Sequence, residues 1–136
     1  MSYTLQFNYD KRGRGGLILL DCGANAGEWL CRTGSVNRSN ELVNALPVGI
    51  YMLKTQHEDT TEKSMTVDGQ AWKTRLYKIK ENGGLEYTHL LIHPDGNNFN
   101  GTLGCIGVQS LALDLRDKLD EILKKQGKIY LNVGTK

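Results

Sequence analysis

Long hydrophobic runs are missing from these 136 residues. The longest, Leu17–Leu20, falls far short of the roughly 18 apolar residues of a membrane-spanning helix, so no such span is expected. An excess of one charge is missing too: 17 Lys and Arg stand against 15 Asp and Glu, a net charge of +2. That balance argues against nucleic-acid binding through bulk positive charge and against a highly charged disordered chain. Proline is scarce, at 2 residues beside 16 glycines, a balance that suits many tight turns and a strand-rich fold better than a helical bundle. Cysteine is limited to Cys22, Cys31 and Cys105. An odd number cannot all pair, and no Cys-x-x-Cys or matching His spacing signals a metal, so neither metal nor cofactor is expected. Met1–Asp10 lacks a basic start followed by an apolar block. No signal peptide is read there, and synthesis in the cytoplasm with reduced thiols is the expectation. A Cys22–Cys31 pair formed after export is the lesser alternative.

What is present reads as one domain over residues 1–136, since domains average roughly 150 residues. Tyr3, Leu5, Phe7 and Tyr9 alternate with polar neighbours, which predicts a half-buried strand. A turn over Asp10–Gly16 and a second strand over Leu17–Asp21 complete a hairpin. Further strands are predicted at Gly27–Thr33, Pro47–Lys54, Ala71–Lys80, Leu85–His93 and Ile129–Val133. Asn82-Gly83-Gly84 forms a hairpin turn between two of them. His57–Ser64 reads as an exposed, charged loop in which His57 is solvated. Ser110–Gln126 carries Leu111, Ala112, Leu115, Leu119, Ile122 and Leu123 at helical spacing, with Ser110 as N-cap and Gly127 just past the end. The predicted fold is therefore mostly antiparallel β, a sandwich or partly closed barrel, with one C-terminal amphipathic helix. Trp29 and Trp72 are read as core residues in preference to the walls of a groove.

Chemistry concentrates between His89 and Gln109. The apolar strand Leu90-Leu91-Ile92 delivers His93 to its end. A Gly- and Asn-rich loop follows, then Thr102-Leu103-Gly104-Cys105-Ile106-Gly107 and the helix. A His at a strand end and a Cys between glycines suit a Cys–His nucleophile, because the glycines let a substrate approach the backbone. Proximity to a helix N-terminus is expected to ease ionisation of the thiol. Backbone N–H groups at Gly104 and Cys105 are candidate oxyanion donors.

Ile92-His93 followed by Thr102-Leu103-Gly104-Cys105 resembles the active-site signature of the L,D-transpeptidase (YkuD-type) superfamily, and Pro47-Val48-Gly49-Ile50-Tyr51 resembles its upstream strand entry. The similarity spans about Leu46 to Gln109, and the short spacing from His93 to Cys105 is closest to compact relatives from phages and secreted antibacterial effectors. The resemblance implies thiol acyl transfer on peptidoglycan stem peptides. Cys105 would be the nucleophile and His93 the general base, oriented by a backbone carbonyl from Asp95, Gly96 or Asn97. Thr102 would hold the loop. Two positions depart from the pattern: Leu103 replaces a second His, and Gly107 replaces an Arg that faces the substrate carboxylate. Arg75, Lys73 or Arg32 are candidates to replace that Arg, and Arg75, His89 and Asn97 are the expected substrate contacts, with His89 on the pocket wall. Such an enzyme would act on the cell wall in the periplasm after phage lysis or secretion, with a possible immunity or delivery protein as partner. The same two departures support an alternative, a non-catalytic phage structural or wall-binding module.

Overall fold

The alternation in the first strand carries directly into burial: Leu5, Phe7 and Tyr9 point inward and their neighbours do not. The computed structural model describes residues 2–95 and 104–136. Its strands are β1 (Tyr3–Tyr9), β2 (Arg14–Asp21), β3 (Ala24–Arg32), β4 (Ser35–Val36), β5 (Leu42–Val43), β6 (Gly49–Leu53), β7 (Glu58–Asp59), β8 (Thr66–Val67), β9 (Gln70–Ile79), β10 (Leu85–Pro94), β11 (Ile106–Val108) and β12 (Ile129–Thr135). A turn of 3-10 helix (Lys63–Met65) precedes β8, and helix α1 (Ala112–Gln126) lies between β11 and β12.

Eight strands close a barrel in the order β10-β11-β3-β2-β1-β12-β6-β9, with β9 pairing back onto β10. Closure removes the open edges that a sandwich leaves. An eight-stranded barrel encloses a space that side chains just fill. Here Phe7, Leu19, Tyr51, Trp72, Ile92 and Leu131 fill it, all fully buried or nearly so. Trp29 joins them at the end of β3, so both tryptophans are core residues. The entry to β6 is explained by the same interior: Tyr51 is buried, and its hydroxyl donates to the Pro47 carbonyl at 2.7 Å. The Pro-x-Gly-x-Tyr pattern is thus a structural turn.

Most neighbouring strands run antiparallel, as expected, and two pairs run parallel. β12 runs parallel to β1, with Leu5 beside Leu131, and β11 runs parallel to β10. Parallel neighbours need long crossovers, and single-strand periodicity carries no information about which distant strand will be the neighbour. The last strand thereby fills the gap between β1 and β6.

Helix α1 buries Ala112, Leu115, Leu119, Ile122 and Leu123 against the barrel core. Hydrogen bonds tie it to the strands and loops around it. Trp29 Nε1 donates to Asp114, Gln126 exchanges two hydrogen bonds with the Tyr3 backbone, and the His57 N–H donates to Asp120. Ser110 is not its cap: Leu111 occupies that position in a left-handed conformation, and the Ser110 hydroxyl accepts the Leu30 N–H at 3.0 Å. Gly127 ends the helix at φ +83°, as its position predicted. Among the described residues, no helix is long and apolar enough to cross a membrane.

Leu131 tests closure by the last strand. Leu131→Ala is expected to cost about 2–5 kcal/mol, read as a lower urea midpoint at unchanged slope. Asn132→Ala, on the outer face of the same strand, is expected to stay within about 0.5 kcal/mol.

Candidate active site

Ile92 pairs with Ile106 and His93 with Gly107 across the parallel β10–β11 ladder. Both isoleucines face the core. Side chains alternate along a strand, so Leu91 and His93 lie on the outer wall. Cys105 immediately precedes β11, which sets it beside Leu91. The contact confirms the placement, because the Leu91 N–H donates to Cys105 Sγ at 3.3 Å. Cys105 precedes Gly107, the ladder partner of His93, by two residues, so the register directs both side chains to this wall.

His93 is only 6% exposed. Its Nδ1 lies 2.5 Å from the carbonyl of Pro94. A carbonyl only accepts, so Nδ1 carries the proton and Nε2 presents its lone pair. The orienting carbonyl is therefore that of the very next residue, one position before the three expected. Burial holds the imidazole below its ordinary range, opposed by the Pro94 carbonyl and by the charges of Asp95 and Glu62. Glu62 comes from the segment around the 3-10 turn, which packs over β9 and β10.

Cys105 is partly buried, and burial pushes its thiol up, opposed by the Leu91 N–H and the Arg75 charge. The expected help from a helix N-terminus is not found. Strand β11 intervenes, and α1 begins only at Ala112. Gly104 turns the chain into the sulfur position at φ +85°, where a Cβ would lie 2.8 Å from Leu90 Cδ2. The Gly-Cys dipeptide is thus dictated by backbone conformation and by close packing.

The residue that sequence reasoning undervalued is Asp95. It was considered only for its backbone carbonyl, yet its side chain is 6% exposed and folds over Gly107. A Cβ at Gly107 would sit 2.5 Å from Asp95 Oδ1. The Asp95 carboxylate fills the space above the strand at this position. Gln109 Nε2 donates to Asp95 Oδ2 at 3.1 Å. Burial raises the Asp95 carboxyl, opposed by Gln109, Arg32 and His93. The signal available in the sequence was the two-residue step from His93 to Asp95, which keeps one face.

Arg75 lies opposite Leu91 on β9, so Arg75, Leu91 and Cys105 form a row across the outer wall. Its guanidinium donates to the Thr88 carbonyl and stands 4.6 Å from the Tyr87 ring centroid. Tyr87 is 61% exposed and meets His89 edge to face at 5.5 Å. A register shift between Tyr87 and Leu91 separates His89 from the regular alternation. His89 is exposed beside this aromatic strip. Asn97 and Thr102, like Gly96 and Leu103, lie outside the described residues. His57 is not solvated as expected. Its ring contacts Asp120 of α1 and Asp59, which fastens the β7 segment to the helix. Cys22 is exposed and Cys31 buried, both as free thiols, so the Cys22–Cys31 pair is absent. Among the described residues, no group of three or more His, Cys, Asp or Glu gathers as a metal site.

Comparison of the sequence with models of known protein families and with curated proteins returns no match.

Two outcomes test this geometry. Gly107→Ala should cost about 1–3 kcal/mol by overpacking against Asp95, measured by chemical denaturation. The second concerns pH. Folded His93 takes its proton at a lower pH than the unfolded chain's imidazole, near 6.5. The unfolded state therefore binds more protons just below that value, and stability falls as pH drops through the window. The raised Asp95 carboxyl acts in the opposite sense at lower pH. The difference between wild type and His93→Gln, in urea titrations from pH 7 to 5, isolates the His93 part.

Proposed function

We propose that the chain is a cysteine acyl-enzyme acting on peptidoglycan stem peptides, as a peptidase or transpeptidase of the L,D-transpeptidase type. The observation that carries this reading is the shared outer wall of β10 and β11. There Cys105 precedes the ladder partner of His93 by two residues and takes the Leu91 N–H, and the His93 Nδ1–H is directed to the Pro94 carbonyl. That commitment leaves Nε2 as the base, the arrangement a thiol nucleophile needs. The resemblance of Ile92-His93 and Thr102-Leu103-Gly104-Cys105 supplies the substrate class.

In this reading Nε2 takes the Cys105 proton, and the thiolate attacks an amide carbonyl. Backbone N–H groups near Gly104 and Cys105 hold the oxyanion. The imidazolium returns its proton to the leaving amine as the C–N bond breaks and the thioester remains. Water or an acceptor amine then loses a proton to Nε2, attacks the thioester and releases Cys105 as thiol. Arg75 offers the nearest charge to the sulfur for a substrate carboxylate, and Tyr87 and His89 extend the surface beside it. The enzyme reaches the periplasmic wall through lysis or a secretion machine.

A second reading is a wall-binding or virion module that keeps the fold without the reaction. The raised Cys105 thiol favours it. Purified sacculi separate the two. Wild type should change the muropeptides seen by mass spectrometry, Cys105→Ala should leave them unchanged, and His93→Ala should slow the reaction by about 10²–10⁴-fold. Unchanged muropeptides from folded wild type would sink the enzymatic reading.

A further inference from the structure

His93 is only 6% exposed, so an imidazolium formed there is largely desolvated and is stabilised by a fixed negative neighbour. From the geometry we infer that Asp95 is a positioning residue for the Cys105–His93 pair, a buried carboxylate that stabilises the imidazolium. The inference rests on the reading of Cys105 and His93 as nucleophile and base.

Three observations carry it. Asp95 follows His93 by two residues and keeps the outer face, and its backbone N–H donates to the Val108 carbonyl, which continues the β10–β11 ladder. Its carboxylate is buried directly over Gly107, the ladder partner of His93. The absence of a side chain at Gly107 is what makes that position available, since any Cβ there would collide with Oδ1. Gln109 fixes the other oxygen. A carboxylate so enclosed is costly unless positive charge meets it, and two groups do: Arg32 on β3 permanently, and His93 when protonated. The other charged groups around His93 are Glu62 from the 3-10 segment, Arg75 on β9 beyond Leu91, and Lys73, to which the β9–β10 register leads. Glu62 is exposed, so its charge is screened by water. Asp95 is the enclosed anion of the set.

The chemical consequence is a thiolate–imidazolium pair that forms at lower pH than the isolated thiol would ionise. Removing an opposite charge at this range shifts such an equilibrium by about one pH unit or more. The test is the pH dependence of Cys105 alkylation by iodoacetamide, resolved from Cys22 and Cys31 by peptide mass spectrometry. Asp95→Asn should move the reactive limb up by about one unit, near tenfold slower labelling on the slope. In a His93→Ala background the same change should leave the limb in place or move it down, because Asp95 then only repels the thiolate. That reversal of sign is not produced by a general loss of structure. Should Asp95→Asn fail to fold, Gln109→Leu serves, with a smaller shift upward. If wild type depends on His93 but Asp95→Asn and Gln109→Leu do not move the limb, Asp95 has no such role and the Cys–His pair stands. If His93→Ala itself leaves the limb unmoved, the pair is absent and the inference falls with it.

Discussion

Ile92 and Ile106 lie side by side inside the barrel, fully buried, on two strands that run in the same direction. That contact decides where every other residue of the site goes. Side chains alternate with period two, so a slip of one residue would carry His93 into the core and Ile92 out of it. An imidazole placed among Phe7, Trp72 and Leu131 would lose water with no carbonyl or carboxylate to replace it. The register is therefore enforced twice, by apolar burial on the inner face and by the cost of burying polar groups there. Closure of the barrel adds a third constraint, because β10 pairs with β9 on its other side and cannot slide alone.

Given that register, the outer wall combines burial with opposed charge. His93, Cys105 and Asp95 are each pushed by desolvation toward the neutral form. Each is also met by a group that favours its charged form: the Pro94 carbonyl and Asp95 for the imidazole, the Leu91 N–H and Arg75 for the sulfur, Gln109 and Arg32 for the carboxylate. Charges therefore appear here most cheaply in opposite pairs. In the proposed reaction a proton moving from Cys105 to His93 creates such a pair, whereas loss of the thiol proton to bulk water leaves a partly buried thiolate with the Leu91 N–H and Arg75 alone to offset it. Cys31 shows the contrast. It is sealed in the core, and burial, opposed by a Leu17 backbone hydrogen bond and reinforced by the Asp95 charge, drives its thiol far above the ordinary range.

Local rules made much of this legible in the sequence. Period-two alternation found the barrel strands that are long enough to show it, and helical spacing with a terminal glycine found α1. The strand leading to His93 was visible as an apolar run that ends at a polar residue, whereas the left-handed turn at Gly104 was not read from the sequence. What was hidden depended on partners far away in the chain. No pattern within Ile129–Thr135 says that it will lie parallel to β1. Ser110 satisfied a capping rule, yet the Leu30 N–H of β3 claimed its hydroxyl. His57 sits in a charged stretch that looks solvated until Asp120 of the helix meets it. β11 escaped notice because Ile106–Val108 is too short to display a period.

Gly107 shows how an apparent defect changes meaning once its neighbour is known. In the sequence resemblance it is a departure, standing where an arginine is expected. In the barrel wall it is the vacancy that Asp95 requires, since Oδ1 stands where any Cβ would be. An arginine at 107 and the carboxylate of Asp95 in its present place exclude each other sterically. The positive charge nearest the sulfur therefore comes from Arg75 on β9, on the far side of Leu91, while negative charge gathers on the His93 side. The outer wall thus carries a cation on the Leu91 side, from Arg75, and an enclosed carboxylate beside His93, from Asp95, so the polarity of the wall follows from the register of three strands.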